Sequence, residues 1–186
     1  MLERSSETDA PEFIPMVARM RLAELRAESS FRPSQEDIEV LYALSGSEHN
    51  IPDAFHKLSS RFVMKEASQS MILANTEEIV NHILKEREKE PELIAIVHTH
   101  PAGIAHPSEI DKQYYPRATK IIRKFLKDAN IIFGIHSLSS EGEEVREREA
   151  PKKRSKNRIT WSSITRSHEI AFYDENLMPV EVVLGE

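Results

Sequence analysis

The sequence contains no cysteine. That one absence excludes disulfides, cysteine nucleophiles, thiolate zinc fingers and iron–sulfur clusters together. Any metal must therefore be held by His, Asp or Glu. Basic charge is not in excess either: 25 Lys and Arg stand against 31 Asp and Glu, a formal charge of −6. This balance argues against a general nucleic-acid or membrane-surface binder. No apolar run approaches the roughly 18–20 residues of a membrane span, and the first residues lack the apolar core of a secretory signal. A soluble, cytoplasmic protein is the expectation. The 186 residues fit a single domain, long enough to bury about two-thirds of its surface.

Strand-like and helix-like segments alternate along the chain, which predicts an α/β fold. Residues 1–12 read as a loose, polar start. A helix is expected from about Pro15 to Ser29, where Met16, Met20, Ala23 and Ala27 form one stripe. Ile38–Leu44, ending at Ser45-Gly46, is short and could be a helix capped by Ser34 or a buried strand, with its composition favouring strand. Strand-like patches follow near 61–65 and 70–73. Thr76 reads as the cap of a helix with Glu77 and Glu78 in its first turn and Ile79, Val80, Ile83 and Leu84 on its apolar face. Leu93–Val97 is a continuous apolar run, as expected of a strand covered on both faces. Ser108 with Asp111 three residues on resembles a capping box, opening a helix that ends near Asn130. Ile131–Ile135 reads as a strand, and Ile170–Tyr173 and Val180–Leu184 as two more around a turn at Asp174–Pro179. Residues 141–158 hold five Glu and seven Arg or Lys and almost nothing apolar, so they are expected to form a solvated, mobile insertion.

Three of the eight histidines, His98, His100 and His106, fall within nine residues. In a strand, positions i and i+2 point the same way, so His98 and His100 would present two imidazoles to one side. The loop after them carries Pro101, Gly103 and Pro107, and can fold back to deliver Asp111, in the first turn of the next helix. Two imidazoles, a carboxylate and water make a four-coordinate zinc with an open position, the arrangement of catalytic sites. A His-x-His pair alone is weak evidence; the pair followed by Ser108 and Asp111 is far more specific.

His98-Thr-His100-Pro101, with Ser108-x-x-Asp111 beyond it, resembles the signature of the JAMM (MPN-plus) zinc metalloprotease family. The resemblance covers about Ile38–Ser137. It implies a mixed β-sheet flanked by helices, the cytidine-deaminase-like arrangement, as one JAMM/MPN-type domain over 1–186 with an N-terminal helix and a charged insertion. It also implies one zinc per chain on His98, His100 and Asp111, and a Ser108 hydroxyl that helps stabilise the tetrahedral oxyanion. The family further uses an upstream Glu as general base, at the start of a strand ending in a Gly-containing turn. Glu39, before Val-Leu-Tyr-Ala-Leu-Ser45-Gly46, is similar to that pattern and also settles the segment as strand; Glu36 is the nearest rival and Glu66 a weaker one. The activity implied is hydrolysis of the bond between a ubiquitin-like modifier and its target. Processing of a sulfur-carrier protein's tail is a second enzymatic reading, and a metal-free MPN scaffold is a non-catalytic one, disfavoured because all the ligands are present.

The remaining singular residues read as structural. His106 is expected to be a polar loop residue, not a fourth ligand, and His136 a satisfied side chain after an apolar strand. Thr99 faces away from the two ligands. Trp161 reads as a local packing anchor, and His49, His56, His82 and His168 fit no pattern.

Overall fold

Leu93–Val97 lies at the centre of the protein because apolar layers cover both of its faces: Leu93, Ile94, Ala95 and Val97 are fully buried and Ile96 nearly so. The computed structural model describes residues 14–15, 41–58, 75–100, 104–139, 149–162 and 166–184. Within them the strands are β1 (Ile14–Pro15), β2 (Leu41–Gly46), β3 (Ala54–Lys57), β4 (Leu93–His100), β5 (Asn130–Ser139), β6 (Glu149–Ser155), β7 (Arg158–Ser162), β8 (Ser167–Tyr173) and β9 (Val182–Val183). The helices are α1 (Thr76–Glu86) and α2 (Glu109–Phe125). The loose start expected at 1–12, the helix expected at 15–29 (apart from Pro15, which stands in β1), the patches at 61–65 and 70–73, residues 141–148, and Glu36, Glu39 and Glu66 lie outside the described residues.

Seven strands form one mixed sheet in the order β3-β2-β4-β5-β8-β7-β6. Only β4 and β5 run parallel within it, joined by α2 as a crossover, the connection that parallel neighbours require. β1 and β9 pair separately. The α/β architecture with a mixed sheet and helices agrees with the expectation from sequence.

Strand alternation sorts the interior into two layers. Leu41, Ala43, Ile94, Ile96, Ile131, Phe133 and Ile135 pack with Ile79, Val80 and Ile83 of α1 and Tyr115, Ala118 and Ile122 of α2. Tyr42, Leu44, Leu93, Ala95, Val97, Ile132, Ile159, Trp161, Ile170 and Phe172 form the layer on the opposite face. Both helices therefore cover the same face, and side chains of β4 with the parity of Ile94 and Ile96 point toward them. His98 and His100 have that parity.

Several local expectations need correction. α2 ends at Phe125, not near Asn130, with the Leu126 amide donating to the Ile122 carbonyl. The cap of α1 is Asn75, whose side chain accepts from the Glu78 amide at 3.4 Å; Thr76 is buried instead, its hydroxyl 3.1 Å from that of Tyr114. β5 runs on to Ser139, past Ile135, because His136 and Leu138 are buried within the fold. Only Val182–Val183 of the expected Val180–Leu184 segment is strand. Most consequentially, residues 149–158 are not a loose insertion: they form β6, the turn at Lys156-Asn157 and the start of β7. Charge alone hid this, because the exposed residues of β6 are mostly polar while Ile159 and Trp161, just beyond, supply the buried side of the pair.

Gly46 closes β2 where the chain doubles back. A Cβ there would lie 2.0 Å from the Ile51 carbonyl oxygen, so the tight approach requires glycine.

Candidate metal centre

β4 ends in Val97-His98-Thr99-His100. Thr99 is fully buried on the face away from the helices, and the two flanking imidazoles meet on the helix side with their Nε2 atoms 3.0 Å apart. α2 begins directly opposite. Ser108 caps it with a complete capping box: its hydroxyl accepts from the Asp111 amide at 3.3 Å, and its own amide donates to Asp111 Oδ2 at 2.6 Å. The Ser108 hydroxyl also donates to Oδ2 at 2.7 Å. With Oδ2 satisfied twice, Asp111 turns Oδ1 toward His98, 3.4 Å from its Nε2. One ligand atom from each of His98, His100 and Asp111 thus lies within 4.8 Å of the others. Among the described residues no other set of His, Asp and Glu converges in this way.

The surroundings favour a neutral His98 and fix which nitrogen of His100 faces the cluster. Burial, opposed by the Asp111 carboxylate and aided by His100, pushes His98 down to about 4, so it holds a lone pair at neutral pH. His100 Nδ1 lies 3.2 Å from the Ile104 carbonyl. A carbonyl can only accept, so Nδ1 carries the proton and Nε2 is left as the ligand atom. Two imidazole nitrogens and one carboxylate oxygen, within 4.8 Å of one another, suit a divalent cation of the zinc type.

The loop before α2 is tied down from a distance. Tyr173 of β8 donates its hydroxyl to the Ala105 carbonyl at 2.8 Å, and Arg158 of β7 donates Nη2 to the same oxygen at 3.2 Å. Arg158 also pairs with Glu169 and approaches both ring nitrogens of His106 at 3.2 and 3.3 Å. His106 is exposed and outside the convergent set, as expected of a loop residue. Arg158 and Tyr173 carried no signal in the sequence: they lie 52 or more residues from the loop they touch.

The other singled-out residues take structural places. His136 is fully buried, between the Tyr42 hydroxyl at 3.0 Å and His168 Nδ1 at 3.0 Å, and burial holds its pKa well below the ordinary imidazole value. Trp161 stacks on His168 with ring centroids 4.9 Å apart, a packing role. Glu39 and its rivals are outside the described residues; the register partner of His98 is Leu41, the first residue of β2.

A family model described as prokaryotic homologs of the JAB domain matches residues 43–147. No curated protein matches the chain. Among the described residues no helix is long and apolar enough to cross a membrane. The match begins within β2 and takes in both helices, β4 and the loop between His100 and Asp111, more than half of the chain; the protein belongs to the prokaryotic JAB-domain family, within the JAMM/MPN group that its motif resembles.

Proposed function

We propose that the protein is a zinc-dependent peptidase of the isopeptidase type, cleaving the bond between a ubiquitin-like modifier and its target. The observation that carries this reading is the convergence of His98 Nε2, His100 Nε2 and Asp111 Oδ1 at the start of α2. One zinc per chain would be held by these three side chains. When bound, zinc is a Lewis acid that lowers the pKa of water from 15.7 to about 7.

The chain's own groups would do the rest. Glu39 is assigned the proton from the attacking water and its later delivery to the leaving amine, so one carboxylate serves as base and then acid. Its spacing supports this: it stands two residues before Leu41, the register partner of His98, so a strand continued back from β2 would give it the parity of Leu41. Ser108 has two tasks. In the resting state its hydroxyl orients Asp111, and in the reaction that hydrogen would swing to the developing oxyanion. A polar hydroxyl poised between a ligand and the reaction centre suits both.

The test is incubation of the full-length protein with conjugates of several ubiquitin-like modifiers and with a modifier carrying a C-terminal tail, with and without a chelator. Cleavage of the conjugates, lost on chelation and restored by zinc, is expected. Cleavage of the tail alone would move the assignment to carrier-protein processing. Stoichiometric zinc with no cleavage in any arm would refute the enzymatic reading and leave a binding module.

A further inference from the structure

We infer that Tyr173 and Arg158 are positioning residues for His100, holding the turn whose carbonyl fixes the imidazole of the proposed metal centre. The inference rests on the metal reading given above.

Three residues carry the connection. The Ile104 carbonyl accepts from the His106 amide at 2.7 Å, closing a tight turn centred on Ala105. The same carbonyl lies 3.2 Å from His100 Nδ1. Its direction therefore decides whether Nδ1 keeps its proton and Nε2 its lone pair, the kind of outer hydrogen bond that orients metal-bound histidines. The turn is not held by its own side chain at that point, because Ile104 is 68% exposed.

What holds it comes from β8 and β7, on the far side of β5 from β4. Ala105 is fully buried, and a buried carbonyl must find donors. Its oxygen has two: the Tyr173 hydroxyl at 2.8 Å and Arg158 Nη2 at 3.2 Å. Arg158 is itself fixed by Glu169, which also pairs with Arg154 at 2.7 Å. The path thus runs from β6 and β7 through Glu169 and Arg158 to Ala105, then through the Ile104 carbonyl to His100. The charged hairpin would act on the metal centre without touching it.

Metal-free wild type, Tyr173→Phe, Arg158→Met and Arg158→Lys are compared, each checked for fold by circular dichroism. Zinc affinity is measured by competition with a chromophoric chelator, and the visible spectrum is recorded after loading with cobalt(II). Tyr173→Phe and Arg158→Met should each weaken zinc binding about 10–100-fold, the range for loss of an outer-shell partner. Both should shift the cobalt spectrum, and Arg158→Lys should recover part of the affinity. Tyr173→Phe, which deletes a single hydroxyl, decides alone should Arg158→Met fail to fold. Wild-type affinity and spectrum in Tyr173→Phe, with only a lowered melting temperature, overturn the inference. Failure of the metal reading looks different: wild type itself would bind no zinc, or His100→Ala would bind as tightly as wild type.

Discussion

β2 carries a histidine–carboxylate cluster near each end, and the two are built on opposite principles. At Leu41 its register partner is His98, at the edge of the metal centre; four residues on, Ser45 faces a second cluster on the same side of the sheet. There the Ser45 hydroxyl is 2.8 Å from His56 Nε2, and His56 Nδ1 is 2.6 Å from Glu86 Oε2. Arg87 donates to Ser45 at 2.7 Å and grips both oxygens of Asp53 at 2.5 and 3.0 Å. Every donor in this second cluster meets an acceptor. The order serine–histidine–carboxylate matches a hydrolase relay, yet Ser45 is fully buried on a strand paired along both edges, where no substrate reaches it. It is a lock between the β2–β3 hairpin and the end of α1.

The candidate metal centre differs because acceptors outnumber donors. His100 Nε2 and Asp111 Oδ1 both present lone pairs toward His98 Nε2, and one proton cannot satisfy all three. A saturated polar cluster stabilises a fold; one with more acceptors than donors could hold a cation.

The largest effects should separate the two clusters cleanly. His98→Ala or His100→Ala should abolish zinc binding and activity while leaving the melting temperature of the metal-free protein near that of wild type. Glu39→Gln keeps the shape but removes the proton acceptor, so zinc content should persist while turnover falls by at least about 100-fold. An active Glu39→Gln with an inactive Glu36→Gln would transfer the base to Glu36.

His56→Ala should do the reverse of the ligand variants. It leaves the buried Ser45 hydroxyl short of a partner, a cost of about 1–3 kcal/mol, or about 2–4 °C in melting temperature per kcal/mol at this chain length. Zinc affinity should be unchanged. A normal melting curve with impaired metal binding would show that the two clusters are coupled, contrary to the comparison.

The smallest effect is a pH dependence of the metal-free protein. Burial is the first cause of the lowered pKa at His56, His98 and His136. Each group takes up its proton more readily when unfolded, near an ordinary value of about 6.5. Stability should therefore be full above that pH and decline as pH falls below it, with the His98 share lost down to about 4. Melting temperatures recorded from pH 8 to 4 should show this decline, less steeply in His98→Ala. A flat profile would contradict it.

What could be read from the sequence was local. The β4 run, the shared side of His98 and His100, and the Ser108–Asp111 box each depend on spacings of a few residues, and periodicity fixes those. What could not be read depends on partners far along the chain. Lys152-Lys153-Arg154 resembles a solvated tract until β7 pairs with it and Ile159 and Trp161 bury their side of that strand. Nothing near Tyr173 or Arg158 in sequence points to Ala105. Thr76 looked like a cap because its neighbour Asn75 serves equally well and Tyr114, 38 residues away, claims the threonine hydroxyl.

The central claim is that His98, His100 and Asp111 form a metal site and not a saturated cluster. Calorimetric titration of metal-free protein with zinc tests it most directly. The account expects one zinc per chain in wild type and none in the His98→Ala/His100→Ala double variant. Absence of binding in wild type, or full stoichiometry in the double variant, would contradict it.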